Sequence, residues 1–183
     1  MKPLKSLLAN KKEILQKPDP SLAFVLLSYE KLESFVRVKE QCEKNFGKVL
    51  MESKTFPRWV LDPSEKGHTM VGSNTKVLSF VRKIGRESLV AFKKKCILIR
   101  EKLYSKDPTL RILPGYLSSH NVIFTSTIDD YHRVYLDEGV FAEVIYKYEK
   151  LKLRHITSAP EFFSYTDVQF FFTMQRDAYL KSL

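Results

Sequence analysis

Leu22 to Ser28 (LAFVLLS) is a nearly unbroken apolar run, the pattern of a strand covered on both faces. Ahead of it, Met1 to Gln16 reads as a short amphipathic helix. Lys17-Pro18-Asp19-Pro20 breaks that helix, because prolines remove donors and restrict their neighbours. Residues 1–20 are thus expected to form an N-terminal extension and 21–183 a single domain. Between Glu30 and Asn45 the apolar positions Leu32, Phe35, Val36, Val38 and Cys42, with Phe46 beyond, recur near helical spacing, and Gly47 stands where a helix would end. Val49 to Phe56 reads as a second strand and Pro57 to Asn74 as a long loop. Lys76 to Ile84 alternates as a third strand. Leu89, Phe92, Cys96, Ile99 and Leu103 form the stripe of a second helix, with Lys93, Lys94, Lys95 and Lys102 off it, and Leu110 to Leu113 is a fourth strand.

This order predicts an α+β protein with a ferredoxin-like split βαβ core. The core continues into an antiparallel β-meander: Val122 to Thr127, a hairpin with arms Tyr131 to Leu136 and Val140 to Tyr148, and a last arm Leu151 to Ile156. Asp137-Glu138-Gly139 suits a three-residue turn with glycine left-handed, which sets Leu136 opposite Val140 and Arg133 opposite Glu143. Thr166 to Leu183 reads as a C-terminal helix with Val168, Phe171, Phe172, Gln175 and Tyr179 along one side.

Composition narrows the class. The 183 residues suffice for one domain burying roughly 70% of its unfolded surface. No apolar run approaches the ~20 residues of a spanning helix, and the N-terminal apolar stretch is too short for a signal peptide. Cys42 and Cys96 fall on helix stripes, as reduced core thiols do, so the expected compartment is the cytoplasm and no membrane partner is expected. The formal net charge of +10 favours an anionic partner. From Arg82 to Lys106 nine basic residues face two acidic ones, Glu87 and Glu101, so the excess is concentrated on one element.

Candidate chemistry collects between Pro114 and Glu143. Asp129, Asp130, His132 and Glu143, with Arg133, can place an acid, a base and an anion clamp, or hold a metal; the alternative is turn aspartates and a cross-strand Arg133–Glu143 pair. Pro114-Gly115-Tyr116, followed by Ser118, Ser119, His120 and Asn121, reads either as an anion-binding turn or as a strand-to-helix connection capped by a serine. Other motifs fail. Gly67 to Thr75 has phosphate-loop glycine spacing, but Ser73 replaces the lysine and Asn74 the hydroxyl residue. His68 and His155 read as loop or surface residues, and no Cys/His spacing suggests zinc. No Gly-x-Ser-x-Gly elbow exists, and Val77 to Ile84 lacks the paired aromatics of an RNA-stacking strand. The sequence leaves the cofactor unknown.

On LPGYL (Leu113 to Leu117), TSTIDDYHRVYLDEGVFAEV (Thr125 to Val144) and the aromatic C-terminal helix, the chain resembles the bacterial family called domain of unknown function 4416, from Leu22 onward. The resemblance implies that Pro114, Gly115, Tyr116, Leu117, His132, Arg133, Tyr135, Gly139, Ala142 and Glu143 are family pattern residues. Family members often carry an aspartate before Pro-Gly and a Tyr-Tyr-x-x-Glu-Met-Gly run in the middle loop, where this chain has Leu113 and Leu61 to Gly72.

The expected function is a non-catalytic binding or regulatory module using residues 114–143 for a small anionic ligand or a partner protein, with Pro114, Gly115, Tyr116, Arg133 and Tyr135 as contacts. The rival is a hydrolase or phosphate-transfer enzyme, metal-dependent or not, built on His132, Asp129, Asp130 and Glu143. A third reading is a basic interaction protein for acidic partners or nucleic acid, through Arg82 to Lys106.

Overall fold

In the computed structural model the described residues are 15–58 and 72–183. The expected helix at Met1 to Gln16 and most of the 57–74 loop, with His68 and the 67–75 glycine pattern, fall largely outside them. The apolar run becomes strand β1 (Ser21–Tyr29), buried at every position. Its alternate residues feed two cores: Leu22, Phe24 and Leu26 one, Ala23, Val25, Leu27 and Tyr29 the other. That double cover is why the run carries so little polar alternation.

Strands β3 (Asn74–Ile84) and β4 (Arg111–Leu117) flank β1, both antiparallel, so that Val25 lies between Leu78 and Pro114. β2 (Val49–Glu52) lies outside β3; β5 (Asn121–Ser126), β7 (Val140–Glu149) and β6 (Val134–Asp137) continue the sheet beyond β4. With β8 (Lys152–His155) also on β7, the sheet has eight antiparallel strands, more than a simple βαβ core provides.

Helices α1 (Leu32–Phe46) and α2 (Leu89–Leu103) cover one face. α1 buries Phe35, Val38, Cys42 and Phe46 and ends at Gly47, whose φ of 96° and N–H to the Glu43 carbonyl form the cap. Leu32 and Val36, expected on that stripe, are exposed, because one face of the helix meets only one face of the sheet. α2 buries Leu89, Phe92, Cys96 and Ile99 of its predicted stripe and half-buries Leu103, but Lys93 is buried too. α3 (Thr166–Leu180) covers the opposite face with the five predicted residues Val168, Phe171, Phe172, Gln175 and Tyr179. Phe24 meets Phe172 edge-on at 5.1 Å, and Tyr146 donates its hydroxyl to the Phe163 carbonyl.

Burial pushes the Cys42 thiol up to about 12 and the Cys96 thiol well above its ordinary value. Since the thiolate is the nucleophile, neither cysteine should react with Ellman's reagent in the native protein, and both should react in guanidinium. Fast native labelling of either would contradict this packing.

Two local expectations are corrected. The strand placed at Leu110 to Leu113 does not stop at a Pro-Gly turn: β4 runs through Pro114 and Gly115 to Leu117. Proline fits there because the carbonyl of Pro114 faces the β5 side, accepting from Thr125 Oγ1, and an N–H would face the same way. The β4–β5 ladder begins only at Gly115 opposite Phe124, so no donor is missed. No helix follows. Ser118 closes a hairpin turn onto Asn121, its hydroxyl accepting from the His120 and Asn121 N–H groups. The second correction concerns the β6–β7 turn. Asp137, not Leu136, pairs with Val140, leaving a two-residue turn of Glu138 (φ 47°) and Gly139 (φ 75°). An irregularity at Leu136 restores the predicted register beyond it, with Tyr135 opposite Phe141 and Val134 opposite Ala142.

Candidate functional site

After β5 the chain turns back on itself before β6. Ser126 Oγ accepts the Ile128 N–H, and the Arg133 N–H reaches the Asp130 carbonyl at 3.0 Å, a turn that swings His132 and Arg133 inward. Arg133 Nε donates to Glu143 Oε2 at 3.1 Å and Nη1 to the Ile128 carbonyl at 3.2 Å. His132 Nε2 lies 3.4 Å from the same Glu143 oxygen, and its Nδ1 3.7 Å from Asp130 Oδ1. The side chains of Arg133 and Glu143 are 2% and 1% exposed, and that of His132 8%.

Burial dominates the electrostatics. It raises the Glu143 carboxyl above its ordinary range, against the opposing pull of Arg133 and His132. Among the described residues neither His132 nitrogen nor Glu143 Oε1 has a hydrogen-bond partner, although all three atoms are buried. Buried polar atoms are normally paired, so the cluster has room in its bonding for one more polar group. Among the described residues no group of three or more His, Cys, Asp or Glu is placed to hold a metal.

The other predicted positions divide sharply. Asp129 is exposed and makes no hydrogen bond or ion pair with the described residues. Pro114 and Gly115 are strand residues inside the sheet; Gly115 does serve close backbone approach, but to Ile123 of β5 and the Phe24 ring rather than to a ligand. Tyr116 lies beside Arg86, and Tyr135 is 58% exposed on β6. The sequence reading missed a groove of about 690 Å³ between α2 and the hairpin, walled by Leu89, Val90, Leu98, Tyr135 and Leu136. It also missed Asp107, which accepts the Glu30 and Lys31 N–H groups and so fixes the start of α1. Neither follows from periodicity, since both join elements far apart in the chain.

The sheet, its three helices and the buried ionic cluster define a mixed α/β protein with one pinned hairpin. The model of the family described as Domain of unknown function (DUF4416) matches residues 19–179, and the chain belongs to that family. No curated protein and no solved structure matches it. The family pattern residues acquire physical roles here: Gly115 lets β4 and β5 approach, Arg133 and Glu143 pair inside the sheet, and Gly139 supplies a left-handed turn position.

Proposed function

We propose that the chain is a non-catalytic binding module that takes up an extended segment of a partner protein along β6 and the adjoining α2 groove. The observation that carries this is the character of the β6 edge. β6 ends the strand order, so its outer edge has no strand beside it among the described residues. Val134, Tyr135 and Leu136 stand exposed on it, with Tyr131 just before at 90% exposure. Proteins usually protect such an edge with charge or proline. The opposite edge is protected: Glu52 on β2 is clamped by Lys39 and Lys76. β6 is short and irregular at Leu136, features that blunt an edge, so a strand added there is held weakly and reversibly.

On this reading His132, Arg133 and Glu143 hold the hairpin from inside while Tyr135 meets the partner. Arg133 is committed to Glu143 and the Ile128 carbonyl, which leaves it a poor clamp for a free anion. A photo-crosslinking amino acid at position 135, in protein expressed in its own host, should yield one adduct in an extended partner segment. Val134→Glu should abolish that adduct without lowering the melting temperature. An equal adduct from position 170 on α3, or one that survives Val134→Glu, would remove the proposal.

The order β2-β3-β1-β4, with α1 and α2 on one face, supports a ferredoxin-like split βαβ core for that part of the sheet. Free, buried Cys42 and Cys96 support a cytoplasmic setting, and no helix among the described residues is long and apolar enough to cross a membrane. The orphaned atoms of His132 and Glu143 favour the enzyme as second reading; the near-complete burial of both side chains and the isolation of Asp129 weigh against substrate access. Nucleic acid ranks third, because Lys93 is buried and Lys94 pairs with Glu138.

A further inference from the structure

A second groove lies on the helix-covered side of the sheet, where β3 ends. It has a volume of about 320 Å³, within the range of small-molecule sites, and is walled by the last residues of α1, the end of β3 and the first turns of α2. Its floor is apolar, formed by Ala23, Phe46, Ile84 and Phe92, and among the described residues no acidic one lines it. Three basic residues do: Arg82, Lys83 and Lys95. The ammonium of Lys83 is engaged elsewhere, donating to the Ser182 carbonyl and resting over the Tyr179 ring. Arg82 and Lys95 make no hydrogen bond or ion pair with the described residues.

Among the described residues some surface cations are matched, as Lys39 and Lys76 are to Glu52, Lys54 to Asp167 and Lys94 to Glu138, and others, such as Lys48 and Lys102, are not. What marks this groove is that two unmatched cations line one concavity with an apolar floor. The groove keeps two unmatched positive charges over an apolar floor. The helix ends do not decide the sign of its potential, since the α2 N-terminus and the α1 C-terminus contribute about +0.5 and −0.5 charge. The side-chain cations decide it.

We propose that this groove binds a small phosphomonoester, its phosphate held by Arg82 and Lys95 and its apolar portion on the floor beside Phe46 and Phe92. This groove meets the α2 groove of the partner-binding proposal at Ala91 and Lys95, which line both, while Arg82, Phe46 and Phe92 line this one alone, so a small-ligand titration tests it without any partner protein. Arginine supplies a planar fork for two phosphate oxygens, lysine a point charge for the third. The apolar floor adds affinity that inorganic phosphate cannot use, which separates an organic phosphate from free phosphate as the occupant.

The test is a titration of the full chain with phenyl phosphate, inorganic phosphate and phenol, followed by amide NMR shifts. Phenyl phosphate should bind saturably, shift Gly85 and Ser88, and bind more tightly than inorganic phosphate, while phenol leaves those amides in place. Charge-assisted contacts make the Arg82→Gln and Lys95→Gln losses roughly tenfold each. The control Lys102→Gln, a charge loss further along α2, should leave affinity unchanged. Three results would each overturn the site: no saturable shift, affinity unchanged in the Arg82→Gln/Lys95→Gln double variant, or an equal loss in Lys102→Gln. Equal affinity for inorganic phosphate would overturn the role of the apolar floor and leave a free-phosphate site.

Discussion

Glu143→Ala should cost the fold about 3–5 kcal/mol, the range for removing one partner of a buried ion pair. The Arg133 side chain is 2% exposed, so without the carboxylate a guanidinium is left buried beside Ile128 with one carbonyl for company. In a chain of this size each kcal/mol moves the melting temperature by about 2–4 °C, so a fall of roughly 10 °C is expected by calorimetry. Arg133→Met/Glu143→Leu, which removes both charges and keeps volume, should lose much less. A double variant as unstable as Glu143→Ala would mean that the pair is not the source of the loss. The pH dependence carries its own sign. Burial raises the Glu143 carboxyl in the folded state, so its contribution to stability is fullest below the unfolded value and is lost as pH rises through the folded one. Glu143→Gln should remove that slope, leaving stability flatter across the acidic range than in the parent chain.

The strands and helices were legible because their signals are local. The uniform apolar run of β1, the stripe of α2 and the aromatic side of α3 each follow from a period that burial imposes on neighbouring residues. Even the Arg133–Glu143 contact could be read, since a hairpin ties sequence distance to register. What could not be read depended on residues brought together across the sheet. Pro114-Gly115 has the composition of a turn, yet the pair is the close-packed middle of a strand, because Gly115 answers to Ile123 and Phe24 rather than to its own neighbours. Lys93 looked solvated by its position off the stripe and is buried. The two grooves lie between elements that no periodicity connects.

Gly115→Ala tests that strand reading most severely. A Cβ built there would stand 2.2 Å from the Ile123 carbonyl oxygen and 2.4 Å from Phe24 Cζ. The first obstacle is backbone in the adjacent strand, and the second is a ring fixed edge-on against Phe172, so neither can withdraw cheaply. Overpacking in a tight core typically costs about 1–3 kcal/mol, and a clash with backbone belongs at or above the top of that range. Gly139 is the internal control. Its φ of 75° carries a conformational cost for any L side chain, but nothing lies within 4 Å of a Cβ placed on it. Gly139→Ala should therefore lose only about 1–2 kcal/mol. Urea denaturation of both variants decides the matter through their midpoints. Gly115→Ala should unfold at clearly lower urea than Gly139→Ala, with an unchanged slope if the denatured state is unaffected. Equal midpoints, or a more stable Gly115→Ala, would mean that β4 and β5 do not approach each other at this glycine and that Pro114-Gly115 is a turn after all.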